Sequence, residues 1–192
     1  MLLSQDEARF PMVPTLRATL GVKGHRPKVP TRDNKDLLYV FCVVNLISAA
    51  LHSNTLESPK GATKKTGKSK NRRMQEAFAN HLRHVGQAYP QERHKEVVLL
   101  IDNAPWHRGQ PIAEALRDNP HLEFKRLPSY SPQLNPIERF WKKLRRRATH
   151  NRLFDTLADL KASLRASLCY FQTMRAKVKS ILEGRPRKKT VK

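Results

Sequence analysis

Cysteine is nearly absent from this sequence. The 192 residues include two cysteines, Cys42 and Cys169, which stand far apart in apolar surroundings. No CxxC pair and no other spacing typical of zinc ligands occurs, so the sequence predicts neither a disulfide framework nor a zinc site. We interpret both cysteines as reduced core thiols of a cytosolic protein.

Long apolar runs are also missing. No stretch approaches the roughly 20 apolar residues that a membrane-spanning helix needs. The N-terminus has no signal-peptide pattern. These absences predict a cytoplasmic protein without membrane contact. The length of the chain suits one domain, or one domain with an extension, and is sufficient to bury a core.

Acidic residues are scarce relative to basic ones. The chain has 38 Lys and Arg against 16 Asp and Glu, a formal net charge of +22. Two basic runs stand out, one between Lys60 and Arg73 and one at 185–189. This charge predicts a polyanionic partner, most often nucleic acid, and an association with the nucleoid. The candidate DNA-binding residues are Lys64, Lys65, Lys68, Lys70, Arg72, Arg73, Lys142, Arg145, Arg146 and Arg147.

Hydrophobic periodicity predicts alternating strands and helices. The predicted strands cover residues 1–5, 37–47, 50–58, 96–101 and 122–128. The predicted helices cover residues 71–88, 110–119, 135–148 and 156–182. Residues 58–70 combine turn formers with lysines and predict a mobile basic loop.

The element order is therefore β-β-β-α-β-α-β-α with an extra C-terminal helix. It predicts an α/β protein with a mixed sheet of the ribonuclease-H-like type, in which three antiparallel strands precede strands that enter through helical crossovers. We expect this domain over residues 1–150, a helical extension over 151–183 and a basic tail over 184–192.

Three carboxylates occupy informative places in this order. Asp6 ends the first predicted strand, Asp102 ends the fourth, and Glu138 opens a helix. If the first and fourth strands are neighbours, Asp6 and Asp102 converge at one edge of the sheet. Convergent carboxylates are hard oxygen ligands that suit Mg²⁺ or Mn²⁺, and two such ions catalyse phosphodiester chemistry in many enzymes.

Each carboxylate also has a purely structural explanation. Asp102 can form an Asx-turn before the sequence NAP, and Asp6 can be a surface residue near a chain end. Asn135 is a suitable N-cap for the helix that follows, and Glu138 then falls at N3, where it can close a capping box. The joint occurrence of all three in one order favours the functional interpretation.

Two strings, IDNAPWH at 101–107 and LPSYSPQLNPIERFW at 127–141, closely resemble the catalytic block of DDE (Asp-Asp-Glu) transposases. The likeness is greatest to the bacterial insertion-sequence branch of the mariner superfamily. The resemblance implies that Asp6, Asp102 and Glu138 are catalytic and bind two Mg²⁺ or Mn²⁺ ions. Asn103 and His107 match family positions beside the site, and Asn135 is a third candidate near it. Glu7 is the reserve candidate if another acid is not part of the site. Trp106 and Trp141 can either stack on bases or belong to the core.

The resemblance further implies DNA cleavage and strand transfer, with double-stranded element ends and target DNA as partners and a homodimer in the synaptic complex. Gln133 departs from the family pattern, where an acidic residue is common. Only five residues precede Asp6, so we expect a chain without the family's N-terminal DNA-recognition modules. Two alternatives stay open: a non-catalytic basic DNA-binding remnant, and another nuclease of the same fold.

Overall fold

The computed structural model describes residues 1–184, except for Arg26, Arg32, Tyr130 and the side chain of Pro132. The predicted basic tail, from residue 185 onward, lies outside the described residues. Five strands form one sheet in the order β3-β2-β1-β4-β5. They are β1 (Leu2–Pro11), β2 (Leu37–Asn45), β3 (Leu51–Ser58), β4 (Val97–Ile101) and β5 (Leu122–Arg126).

The pairing directions agree with the prediction. Strand β2 is antiparallel to both β1 and β3, whereas β4 is parallel to both β1 and β5. The first and fourth strands are therefore neighbours, which is the condition for Asp6 and Asp102 to converge. Parallel strands need long crossovers, and the helices before and after β4 supply them.

Six α-helices complete the described part of the chain. They are α1 (Ala62–Thr66), α2 (Lys70–Ala88), α3 (Gln110–Arg117), α4 (Ile137–Ala148), α5 (Leu157–Thr173) and α6 (Arg175–Glu183). Helix α1 is short and lies in the segment predicted as a loop, between two glycines with left-handed backbone conformations. The single C-terminal helix predicted over 156–182 is wrong, because the chain breaks at Met174 into α5 and α6.

Strand β1 is twice as long as predicted, and this changes the position of Asp6. Its antiparallel pairing with β2 continues from Leu3 to Pro11, so the strand does not end at the acidic residues. Asp6 therefore lies within β1, and the prediction that it ends the strand is wrong. The parallel pairing with β4, however, stops at Ser4 opposite Leu100. Beyond that point one edge of β1 is free to face a cavity.

Two hydrophobic cores cover the two faces of the sheet. Helices α4, α5 and α6 pack with Ala8, Phe10 and Cys42 on one face. Helices α2 and α3 pack with Leu3 and Phe41 on the other. Successive residues of a strand point to opposite faces, so neighbours in β1 belong to different cores. All nine residues of β2 are buried, as expected for the central stretch of a sheet covered on both sides.

The apolar faces predicted for α2 and α4 are the buried faces. The α2 residues Met74, Phe78, Leu82 and Val85 are all buried, and so are the predicted α4 residues. Cys42 is a buried free thiol as predicted, but Cys169 on α5 is exposed, which corrects its assignment to the core. Within the described residues, no helix is both long enough and apolar enough to cross a bilayer.

Candidate active site

A cavity of about 410 Å³ opens where β1 runs past the end of β4. The three carboxylates singled out in the sequence all line it, although they come from a strand, the end of another strand and a helix. Its lining residues are Asp6, Asp102, Asn103, Ala104, Leu127, Pro128, Ser129, Ser131, Asn135 and Glu138. We refer to this cavity as the acidic cleft.

Asp6 forms the buried wall of the acidic cleft. The β1–β4 register pairs Ser4 with Leu100, and continuing it by two residues places Asp6 level with Asp102. The Asp6 Oδ2 atom accepts a hydrogen bond of 2.9 Å from Trp141 Nε1. Burial, together with the charges of Glu7 and Glu138, raises the pKa of Asp6 to about 7, despite the opposing hydrogen bond from Trp141.

Asp102 forms the exposed rim of the acidic cleft. Its Oδ1 atom accepts hydrogen bonds from Ala104 N at 2.9 Å and from His107 Nδ1 at 3.0 Å. These donors lower the pKa of Asp102, the His107 hydrogen bond most strongly. The Asx-turn considered from the sequence is therefore present, and it holds the carboxylate by one oxygen. The Oδ2 atom has no hydrogen-bond partner among the described residues.

His107 links Asp102 to a second acid beneath the cleft. The buried imidazole donates from Nε2 to Glu7 Oε1 at 2.7 Å and from Nδ1 to Asp102. Burial alone would lower its pKa, but Glu7 and Asp102 together raise the pKa of His107 to about 10. Glu7 pairs across the sheet with Phe41 of the α2 core, whereas Asp6 pairs with Cys42 of the α4 core. Glu7, the reserve acid, therefore faces away from the cleft.

The capping box considered as a structural explanation of Glu138 does not form at α4. The helix begins at Ile137 with Pro136 at the N-cap, and no side chain caps it. The buried Asn135 side chain instead accepts a hydrogen bond of 2.6 Å from Ser4 Oγ, and its amide donates to Gln5 O at 3.5 Å. These contacts tie the segment before α4 to β1. Glu138 has no side-chain hydrogen-bond partner in the part of the chain that the structure describes.

Two supporting residues were missed in the sequence. Trp141, considered as core or as a base-stacking residue, is buried but also donates to Asp6. Arg126, at the end of β5, donates to His107 O at 3.1 Å and braces the turn after β4. Arg126 could have been found by aligning the two parallel strands, because it pairs with Ile101, the residue before Asp102. Asn103 donates to Leu127 O at 2.8 Å and joins the ends of β4 and β5.

The candidate DNA-binding residues separate into two groups that the structure does not bring together. Those before residue 74 lie on α1 and α2, except for Lys68, which lies between the two helices. Lys68 and Arg72 form ion pairs with Glu76. Those after residue 141 lie on α4, which covers the other face of the sheet. Arg145 differs from its neighbours on α4, because it is half-buried with its guanidinium 5.3 Å from the centre of the Phe10 ring.

The acidic cleft has the donor chemistry of a magnesium or manganese site. Its three carboxylates offer hard oxygen ligands. Burial first, and then the charges of Glu7 and Glu138, raise the pKa of Asp6, and a bound cation would oppose both effects by favouring the charged carboxylate. The residues therefore fit a divalent ion. Among the described residues, however, no group of three or more His, Cys, Asp or Glu side chains is already arranged to coordinate a metal.

The mixed sheet and its cleft define a ribonuclease-H-like α/β protein, as the element order predicts. The chain belongs to the DDE superfamily endonucleases, whose family model matches residues 1–161. The Mos1 mariner transposase in a paired-end complex with Mn has the same fold, with a TM-score of 0.61, 19% identity, and 95% of this chain and 53% of that chain covered. Its isolated catalytic domain gives a TM-score of 0.57 at 17% identity, covering 95% and 79%.

Two curated proteins are related to the chain in sequence. A 39 kDa protein of the insertion element IS630 from Shigella sonnei is 26% identical over 161 residues, which are 84% of this chain and 42% of that protein. The protein y4pE/y4sA of Sinorhizobium fredii is 35% identical over 85 residues, covering 44% of this chain and 58% of that protein. The matched regions thus span about half the length of these relatives.

Proposed function

We propose that this chain supplies the catalytic chemistry of a transposase: divalent-metal-dependent cleavage of DNA, followed by transfer of the freed strand to target DNA. The observation that carries the proposal is the convergence of Asp6, Asp102 and Glu138 on one cavity in a DDE superfamily endonuclease. The chemistry of these side chains matches the reaction, because carboxylates that share a site are suited to hold the cations that phosphodiester cleavage requires.

Asp6, Asp102 and Glu138 are the residues that would hold the ions, Mg²⁺ or Mn²⁺ and two in number. Such ions lower the pKa of an attacking water or 3′-hydroxyl and stabilise the leaving oxygen. The related Mos1 transposase has been solved in paired-end complexes with Mn and with Mg, which supports this choice of metal.

The surrounding residues orient the three acids. Trp141 holds one oxygen of Asp6, and His107 with the Ala104 amide holds one oxygen of Asp102. Asn135 anchors the start of α4 to β1 and so fixes where Glu138 enters the cleft. Preorganised ligands of this kind lose little entropy when a metal or a substrate binds.

Double-stranded DNA is the proposed partner, both as element ends and as target. The net charge of +22 supports a polyanionic substrate, and Mos1 has been solved in a complex with its left transposon end. We assign the chemistry to residues 1–150 and a supporting role to the helices over 151–183, with a homodimer as the synaptic unit. The proposed location is the cytoplasm, in association with the nucleoid.

One observation favours a second candidate, a DNA-binding protein without catalysis. The described acids do not form a ready-made metal cluster, and Asp102 has a complete structural role in its turn. In that case the basic residues would bind DNA while the cleft remained without metal. The experiment below separates the two functions.

The test is a cleavage and strand-transfer assay on a pre-nicked DNA end with the 192-residue chain. We expect cleavage that depends on Mg²⁺ or Mn²⁺, and joined products when target DNA is added. Cleavage without joined products would point to a nuclease of the same fold. DNA binding without any metal-dependent cleavage would contradict the proposal and favour the DNA-binding protein.

A further inference from the structure

A second cavity, of about 990 Å³, lies between α4 and α6 on the surface of the protein. Its lining includes the cationic residues Lys142, Lys143, Arg146, Arg147, Arg152 and Lys177, and no residue among those that line it is acidic. We call it the α4 groove. It is separate from the acidic cleft, and the two cavities share no lining residue.

The cations on α4 follow the period of the helix. Five cationic residues of α4 line the groove, at positions 139, 142, 143, 146 and 147. They lie on one face of the helix, and the apolar residues lie on the opposite face. The stripe begins at the residue after Glu138. It extends over about 12 Å of helix, given a rise of 1.5 Å per residue. The same helix therefore connects the acidic cleft to the groove.

This arrangement is unfavourable for the helix itself. Neighbours three and four residues apart carry like charges, which destabilise a helix. Arg139 also lies in the first turn, where the helix dipole disfavours a positive charge. Arg146 and Arg147 lie in the last turn, where the dipole instead favours a positive charge. Lys142 and Lys143, in the middle of the helix, have no such gain. Helix stability therefore does not explain the whole stripe, whereas binding of a polyanion does.

Contacts within the groove position three of its cations. The Arg147 guanidinium lies 3.7 Å from the centre of the Tyr170 ring, and Lys177 Nζ donates to the Tyr170 hydroxyl at 3.0 Å. Arg139 donates to the carbonyl of Leu182 and thereby joins α4 to the end of α6. Neutral partners of this kind orient the cations without cancelling their charge.

We infer that the α4 groove binds the sugar-phosphate backbone of duplex DNA next to the segment that enters the acidic cleft. A row of cations about 12 Å long exceeds what a single phosphate can neutralise, but it suits a strand that carries one charge per 3.4 Å of rise. The inference rests on the proposed function for the identity of the polyanion. Beyond the proposed function, the inference identifies the surface along which the DNA substrate lies.

The test measures binding of a labelled mixed-sequence DNA duplex by fluorescence anisotropy, in EDTA, between about 50 and 200 mM salt. The groove variant combines Lys142→Gln, Arg146→Gln and Lys177→Gln. The control variant combines Lys23→Gln, Lys95→Gln and Lys125→Gln, which are equally exposed and remove the same charge. Thermal unfolding verifies that both variants fold.

We expect the groove variant to bind at least about tenfold more weakly, with the slope of log K against log salt reduced by nearly three, since each lost phosphate contact contributes about 0.9. The control should stay near the parent. Equal losses in the two variants, or no binding by the parent, would overturn the inference. If the parent cleaves DNA and the groove variant binds DNA as tightly as the parent, only the inference about the groove is contradicted. Normal groove-dependent binding without cleavage would overturn only the catalytic function.

Discussion

The acidic cleft and the α4 groove meet at one helix and carry opposite charge. Glu138 opens α4 inside the cleft, and the cationic stripe starts at the next residue and leads away from it. In the cleft, negative side chains crowd in a partly buried space, and the pKa of Asp6 rises to about 7. In the groove, positive side chains are exposed, and Arg139, Arg147 and Lys177 have neutral partners. The difference separates two tasks, holding cations for chemistry and holding the DNA backbone.

The largest effect should come from Glu138→Gln, which removes charge from the cleft but leaves the groove intact. We expect metal-dependent cleavage to fall by about 10³-fold or more, as when one member of a catalytic unit is lost. DNA affinity should stay within about twofold of the parent, since phosphate contacts dominate it. Cleavage kinetics and anisotropy on the same preparation measure both. A variant that cleaves like the parent would remove Glu138 from the site.

Glu138→Ala is the matched control for stability. Because no capping box forms at α4, neither substitution should lower the free energy of unfolding by more than about 0.5 kcal/mol. Above pH 7, both should raise it slightly, since the charge of Glu138 opposes that of Asp6. A loss of about 1 kcal/mol in the alanine variant alone would indicate a cap after all.

Asp6→Asn should stabilise the metal-free protein. The folded-state pKa of Asp6 is raised from 3.8 to about 7, so the folded parent binds more protons than the unfolded chain between these values and loses stability as pH rises through them. We expect a gain of roughly 2 to 4 kcal/mol at pH 8, at about 1.4 kcal/mol per pKa unit, and almost none near pH 4. Urea unfolding at both pH values measures it. A loss of stability at pH 8 would contradict the crowding of charge in the cleft.

Glu7→Gln tests the support beneath the cleft. The pKa of His107 is raised from 6.5 to about 10, so its ion pair stabilises the fold fully below pH 6.5 and ceases to do so as pH rises through 10. We expect a loss of about 2 to 3 kcal/mol at pH 6, less than for a fully broken buried pair because glutamine still accepts a hydrogen bond. The loss should shrink towards pH 10. Chemical unfolding across this range is the measurement, and a loss independent of pH would contradict a charged His107.

The smallest effect concerns the other basic region, around the start of α2. Lys68 and Arg72 are already paired with Glu76 at 2.8 Å and 3.1 Å, unlike the groove cations. Lys68→Gln with Arg72→Gln should therefore reduce the salt slope of DNA binding by less than one, against about 0.9 for each groove contact. Stability should change by no more than about 1 kcal/mol. A larger loss of slope than in the groove variant would place the main DNA contact on α2 instead.

The sequence predicted the strands and their succession along the chain because apolar runs and periodicity mark buried elements directly. It did not predict the length of β1, which depends on how far β2 pairs with it and not on the local residues. The break between α5 and α6 was also missed, since Met174 is neither glycine nor proline and gives no local signal.

The three acids of the cleft could be chosen from their places in the element order, but their partners could not. Asn135 is a residue type that is common at N-caps, yet its side chain forms a hydrogen bond with Ser4, about 130 residues earlier in the chain. Trp141 reads as a core residue and also donates to Asp6. Such contacts depend on tertiary packing, which no local pattern records.

The most direct test of the acidic cleft as a metal site is the thermal unfolding midpoint at pH 8 with and without Mn²⁺. The parent should be stabilised in a concentration-dependent manner, by about 2.7 kcal/mol at 100 times Kd. Asp6→Asn and Glu138→Gln should show little or no response, even though the first is the more stable protein without metal. If Mn²⁺ raises the midpoint of the parent and of both variants equally, or raises none of them, the three carboxylates do not form the metal site.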